Sequence, residues 1–256
     1  MERRNFLKGS LLAAAAASGV SQVSGQTPSK KKEVYEFRVY HMNRNLPTID
    51  AYLSEALIPA LNRHGVRNVG VFREVSQSEP FKVYVLIPYS SLEDYSRVTI
   101  ALRSDAELDR ASQSYNALPA SRPIFERVDV SLLLAFDGIP QMVVPRKDQR
   151  LFEMRIYEGH NEDAVRRKVK MFNEGELDIF RRVNVTPVFF GENIAGRGLP
   201  CLTYMTVYES MEQRDKAFKA FLDHPDWKKL SQMPEYADTV SKVHRVFLQP
   251  VPYSQV

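Results

Sequence analysis

Apolar and polar residues alternate along Val34-Tyr35-Glu36-Phe37-Arg38-Val39-Tyr40, with Tyr35, Phe37 and Val39 on one side and Glu36, Arg38 and Tyr40 on the other. A period of two predicts a strand. The pattern then changes to a helical one. Ile49, Leu53, Leu57, Ala60 and Leu61 form a stripe that begins near Pro47, a residue suited to a first turn, and stops at Gly65. Pro59 lies inside that stripe and should kink the helix, because it removes a backbone donor. Val69-Gly70-Val71-Phe72 and Phe81 to Ile87 predict two more strands. Ser91 is placed to cap a second helix, and Val128 to Leu134 predicts a closing strand.

The second half of the chain repeats this order. Leu151-Phe152-Glu153-Met154-Arg155-Ile156-Tyr157 keeps the Glu, Arg and Tyr of the first strand, 117 residues on. Val207-Tyr208-Glu209-Ser210-Met211-Glu212 follows Pro88-Tyr89-Ser90-Ser91-Leu92-Glu93 by 119 residues. Two blocks in one order at nearly one spacing mark an internal duplication. Asn161 is placed to cap a helix with Glu162 and Asp163 in its first turn and Val165, Val169 and Phe172 on its stripe. Val188-Phe189-Phe190, Leu202 to Val207 and Val243 to Leu248 predict strands, and Ser210 with Gln213 has capping-box spacing. Each copy therefore reads strand, helix, strand, strand, helix, strand, an α+β module. The first spans residues 33–137 and the second residues 149–256, joined by a linker at 138–148 that holds Pro140 and Pro145.

The first residues follow neither pattern. Arg3-Arg4-Asn5-Phe6-Leu7-Lys8 precedes an apolar run of about ten residues from Leu11 to Val20, short of the ~20 that span a bilayer. This arrangement resembles a twin-arginine export signal, with cleavage expected before Gln26. Residues 1–25 are thus expected to be a signal peptide and 26–32 a flexible segment, the mature chain being periplasmic or secreted.

Composition changes the picture mainly by exclusion. With 44% hydrophobic and 26% charged residues the chain has the balance of a folded globular protein. The formal net charge is +4, of which Arg3, Arg4, Lys8 and Glu2 supply +2, and so weak a balance gives no electrostatic case for nucleic acid. The single cysteine, Cys201, excludes an intrachain disulfide framework and a multi-cysteine metal site. His41, His64, His160, His224 and His244 lack metal-ligand spacing, and no metal is expected; His244, in the last strand, is the one histidine placed to reach a pocket. Neither a phosphate-binding glycine loop nor a nucleophile elbow occurs. Catalytic residues and a cofactor are therefore left unassigned.

The Tyr/Phe-Glu-hydrophobic-Arg-hydrophobic-Tyr strand, the Tyr208-Glu209-Ser210 turn, and Arg214 followed by Asp223-His224-Pro225-Asp226-Trp227 resemble the NIPSNAP family. The second copy carries the fuller match; the first keeps the strand and the Tyr89-Ser90-Ser91 turn but lacks the Pro-Trp element. Tyr204 and Thr206 stand where the family often has a histidine and a tryptophan. The resemblance implies ferredoxin-like modules that pair into a dimeric α/β barrel, with both halves supplied here by one chain. Relatives of that architecture include cofactor-free monooxygenases, isomerases and haem-dependent enzymes, among which fold cannot choose.

If helices cover the apolar side of each first strand, then Glu36, Arg38, Tyr40, Glu153, Arg155 and Tyr157 face an interior between two sheets. With Tyr204 and His244 they form the expected ligand-binding set, the tyrosine and arginine groups orienting an anion or carbonyl. The competing expectation is an ion-pair ladder that sets register between the halves. The function that follows is binding of a small, partly apolar molecule or a protein partner through the barrel. The alternative is a cofactor-independent monooxygenase or isomerase in the same pocket. No nucleic acid and no membrane span in the mature chain are expected, and the oligomeric state is open.

Overall fold

In the computed structural model, residues 31–43, 46–76 and 79–256 are described. The expected signal peptide at 1–25 and most of the flexible segment at 26–32 lie outside them. Among the described residues the eight strands are β1 (Val34–Met42), β2 (Gly70–Glu74), β3 (Lys82–Tyr89), β4 (Phe125–Ala135), β5 (Leu151–Glu158), β6 (Thr186–Ala195), β7 (Cys201–Tyr208) and β8 (Lys242–Pro250). All pair antiparallel in the closed order β1-β3-β2-β8-β5-β7-β6-β4.

Each half of the chain supplies a four-stranded sheet, and the halves join edge to edge at two seams, β2–β8 and β4–β6. Closure leaves these eight strands without an open edge. The halves match in register as well as order: Glu36 lies opposite Ile87, and Glu153 opposite Thr206, 119 residues beyond Ile87. Because neighbours alternate in direction around the ring, β1 and β5 run the same way. The two halves are thus related by a pseudo-twofold along the barrel axis.

The helices sit outside. Asn161, Ser91 and Ser210 cap as expected, accepting from the backbone N–H groups of Ala164, Asp94 and Gln213 at 2.8, 3.1 and 3.1 Å. Pro59 does not end its helix. The chain continues through Leu46–Ala51, Tyr52–Leu57 and Ile58–Arg63, the middle segment being a π turn in which the Ile58 N–H donates to the Leu53 carbonyl. The second copy has the same device, with Leu177 donating to Phe172 between Glu162–Met171 and Leu177–Arg182. Both bonds recur 119 residues apart, and Asp178 stands where the first copy has Pro59. Proline is therefore not required for such a turn.

Three apolar layers result. Tyr35, Phe37, Phe72, Leu86, Leu133, Phe152, Met154, Phe189 and Met205 fill the barrel, with Tyr35 on Phe189 at 5.1 Å and Phe72 on Phe152 at 4.8 Å across the β2–β8 seam. Ile49, Leu53, Leu57, Val71, Val85 and Ile87 form the first helix–sheet layer; Phe172, Phe180, Leu202, Tyr204, Tyr208 and Phe221 form the second. A large apolar side chain fully buried in such a layer contributes roughly 1.5–3 kcal/mol.

These layers correct the expected orientation of the first strands. Tyr35 and Phe37, like Phe152 and Met154, point into the barrel, while Tyr40, Tyr157 and Tyr204 belong to the helix-facing layers. The reason is physical. A barrel interior packed with side chains from eight strands leaves no room for unpaired charge, so it takes the more uniformly apolar side. The polar side goes to the helices, which carry arginine, lysine and tyrosine partners.

Candidate functional site

The inward stripes change character along the axis. On β1, Tyr35, Phe37 and Val39 lead to His41; on β5, Phe152, Met154 and Ile156 lead to Glu158. On β8 the stripe runs back from Leu248 through Val246 to His244, and on β4 from Leu133 through Ser131 to Asp129. Parallel β1 and β5 bring all four titratable ends to one mouth. There a cavity of about 1020 Å³ is lined by Val39, Tyr84, Met154, Ile156, Cys201 and Val246 below and by His41, Asp129, Glu158, Arg197 and His244 at the rim. An apolar floor with a few convergent polar groups is the usual make-up of a ligand site.

The rim is built from two histidine–carboxylate pairs. His41 Nε2 lies 2.8 Å from Asp129 Oδ2, and His244 Nε2 lies 2.5 Å from Glu158 Oε1. Strand register makes them equivalents, since Val39 is opposite Asp129 and Ile156 opposite His244. The matched positions are filled in reverse: histidine on β1 and acid on β4, but acid on β5 and histidine on β8.

Their surroundings also differ. Asp129 accepts a hydrogen bond from Arg197 at 2.9 Å and lies 3.5 Å from the Arg127 guanidinium. Burial works to raise its carboxyl, but the bonds from Arg197 and His41 outweigh burial and hold it below the usual carboxylate range. On the remaining wall Glu74 accepts from Tyr84 at 2.5 Å and from Lys82 at 3.4 Å. Burial, aided by Glu158, pushes the Cys201 thiol up to about 11, so it stays a neutral thiol near pH 7.

Of the expected site residues, only His244 lines this cavity. Glu153, Arg155, Tyr157 and Tyr204 come together on the helix-facing side instead. Glu153 accepts from Arg155 Nε at 2.7 Å and from Arg214 Nε and Nη2 at 2.7 and 2.8 Å, and Phe218 lies beneath both guanidiniums at 4.6 and 4.5 Å. Burial raises the Glu153 carboxyl, yet Arg214 and then Arg155 bring the net effect below the usual range. Arg155 also donates to Tyr157 at 3.0 Å, whose hydroxyl meets that of Tyr204 at 2.9 Å. In the first copy Glu36 accepts from Arg38 at 2.7 Å and Tyr89 at 2.9 Å, and Tyr40 packs edge-on to Phe125 at 5.3 Å.

Beside the second cluster, Lys168 donates to Glu176 at 2.6 Å, both side chains being nearly inaccessible. Among the described residues, no group of three or more His, Cys, Asp or Glu side chains could hold a metal ion, and no helix is long and apolar enough to cross a membrane.

His41, Asp129 and Glu158 were not in the expected set. A signal for them exists: each continues an inward stripe by two residues or sits at the repeat-equivalent of another rim residue.

The sequence profile of the NIPSNAP family matches residues 152–255. No curated protein matches the chain by sequence. Among solved structures, a presumed monooxygenase from Lactobacillus acidophilus aligns with a TM-score of 0.57 at 12% identity, over 86% of this chain and 94% of that one. An anthrone oxidase-like protein aligns at 0.54 and 10% identity, over 87% and 93%. A NIPSNAP-like domain protein from Burkholderia xenovorans aligns at 0.37 and 21% identity, over 41% and 87%. The first two show a shared barrel fold.

Proposed function

The chain carries a NIPSNAP domain over residues 152–255, and from that premise we propose that its barrel binds a small, partly apolar molecule through the open mouth. The observation that carries this reading is the cavity of about 1020 Å³, apolar below and titratable at the rim. Its size and make-up suit a ligand that buries a hydrocarbon portion and leaves a polar group among the rim residues. Of the two enzymatic alternatives in the same mouth, the isomerase is the one supported by proton carriers at the rim.

Native mass spectrometry of protein purified from its own host tests the binding. The wild type should carry a small-molecule mass that is lost in Ile156→Trp, which fills the floor. An empty wild type would sink the proposal.

Export by the twin-arginine route is part of the same proposal, resting on Arg3, Arg4 and the short apolar run. Changing both arginines to lysine should accumulate full-length precursor inside the cell; unimpaired export would remove the assignment.

A further inference from the structure

We propose that the barrel mouth moves protons on its ligand: His244 removes a C–H proton next to a carbonyl group, and the Arg197 side of the mouth holds the enolate oxygen. This rests on the mouth being the ligand site.

The His244 imidazole is held at one nitrogen only. Its Nε2 meets Glu158 at 2.5 Å, and among the described residues Nδ1 has no hydrogen bond. A carboxylate at one ring nitrogen keeps the proton there and leaves the other lone pair as an acceptor. It also stabilises the imidazolium that forms when that lone pair takes a proton. His244 therefore has the two requirements of a general base, an open acceptor and a countercharge behind it.

The other pair is unsuited to that task and suited to the opposite one. His41 is engaged at both nitrogens, Nε2 by Asp129 at 2.8 Å and Nδ1 by Arg127 at 3.4 Å. Around Asp129 the Arg197 and Arg127 guanidiniums converge on one carboxylate, and Arg127 also lies 3.4 Å from the exposed Glu126. Arg197 bonds Asp129 through Nη1 alone, and a guanidinium has five donors. Donors on that side can meet negative charge as it develops on an oxygen.

Of the remaining polar groups of the wall, Glu74 accepts from Lys82 and from the Tyr84 hydroxyl. Arg245 lies over the Phe247 ring at 5.4 Å. The floor of Val39, Met154 and Ile156 takes the hydrocarbon part.

The step balances without an oxidant or reductant. The C–H bond breaks, its electron pair passes into the carbonyl system to give the enolate, and an N–H bond forms at Nδ1. Return of a proton to the same or a conjugated carbon restores the base. The substrate class is a small apolar ketone or acid derivative with an acidic α-hydrogen, and the net change is isomerisation or hydrogen exchange.

2-Tetralone, an apolar bicyclic ketone, is the probe. In D2O near neutrality, proton NMR follows loss of its C1 signal, and saturation transfer in the same sample reports binding. Wild-type protein should accelerate exchange at least about 100-fold over an equal concentration of imidazole. His244→Asn should remove about 100-fold of that acceleration, and Arg197→Met about tenfold, with saturation transfer retained in both. Retained transfer also shows that the variants are folded. Binding without exchange, or full exchange in His244→Asn, would overturn the proton step and leave the binding site standing. No binding of 2-tetralone overturns the substrate class, whereas an empty native spectrum removes the site itself.

Discussion

At the residue scale the buried charges divide into those the fold needs and those it does not. Glu153 is held by two arginines, of which Arg214 makes two bonds and Arg155 one. Replacing Arg214 with methionine strips the larger share from a carboxylate with almost no solvent contact. The expected loss is about 3–5 kcal/mol. Arg155→Met should cost less, roughly 1.5–3 kcal/mol, because Arg214 stays in place. Thermal melts of each variant with and without Glu153→Gln check this; rescue by the second change marks the cluster as structural pairing.

Lys168 and Glu176 behave differently. The repeat spacing of the π turns maps them onto Ile49 and Leu57, both buried. The first copy thus builds the same interface from hydrocarbon. Lys168→Ile alone should cost about 3–5 kcal/mol, while Lys168→Ile with Glu176→Leu should melt at or above the wild type. Burial holds the Glu176 carboxyl above the usual range even beside Lys168. A group raised in the folded state favours folding at low pH and loses that contribution as pH rises. The deficit of Lys168→Ile should therefore widen from acid to neutral pH.

At the scale of elements, strands, caps and stripes are legible because each is a local pattern. Tyr35-Glu36-Phe37-Arg38 declares a strand, and Asn161, Ser91 and Ser210 declare helix starts. Which side of a strand faces the barrel is not local. Both sides of β1 and β5 are largely buried, so alternation marks two faces without saying what covers each. The answer lies in partners far along the chain, such as Arg214 for Glu153. The rim was missed for a related reason: a histidine two residues beyond an apolar stripe looks like a surface residue until the stripe is known to point inward.

Asp105 gives an element-level test. It caps the segment Ala106–Ala111 by accepting from Glu107 and Leu108, and it also meets Arg63 and His64. The Leu108 N–H first, and then Arg63 and His64, overcome burial and lower its carboxyl to about 2. A lowered value means stability present above the unfolded value near 3.8 and lost as pH falls from about 4 towards 2. Asp105→Asn should flatten that acid limb in a pH series of urea melts.

On the scale of the whole molecule, the duplication is legible and the closure is what makes it cohere. Cut at the linker, residues 149–256 would keep β8-β5-β7-β6 with β8 and β6 as open edges. The β2–β8 seam is the equivalent of β6 meeting β8 from a second copy, so the isolated segment should elute as a homodimer in light-scattering chromatography. A folded monomer would contradict the equivalence of the seams.

The reversed filling of the two rim positions has a stereochemical meaning. In a barrel made from two identical chains, every change at the mouth appears twice, and a flat molecule can lie across the axis in two indistinguishable ways. Here His41 and Glu158 occupy one equivalent position and Asp129 and His244 the other, so a half-turn of the bound molecule about the barrel axis exchanges unlike neighbours. The two placements are no longer equivalent. A planar enolate held there would present one prochiral face to His244, and a deuteron returned from that side would leave a product of one configuration.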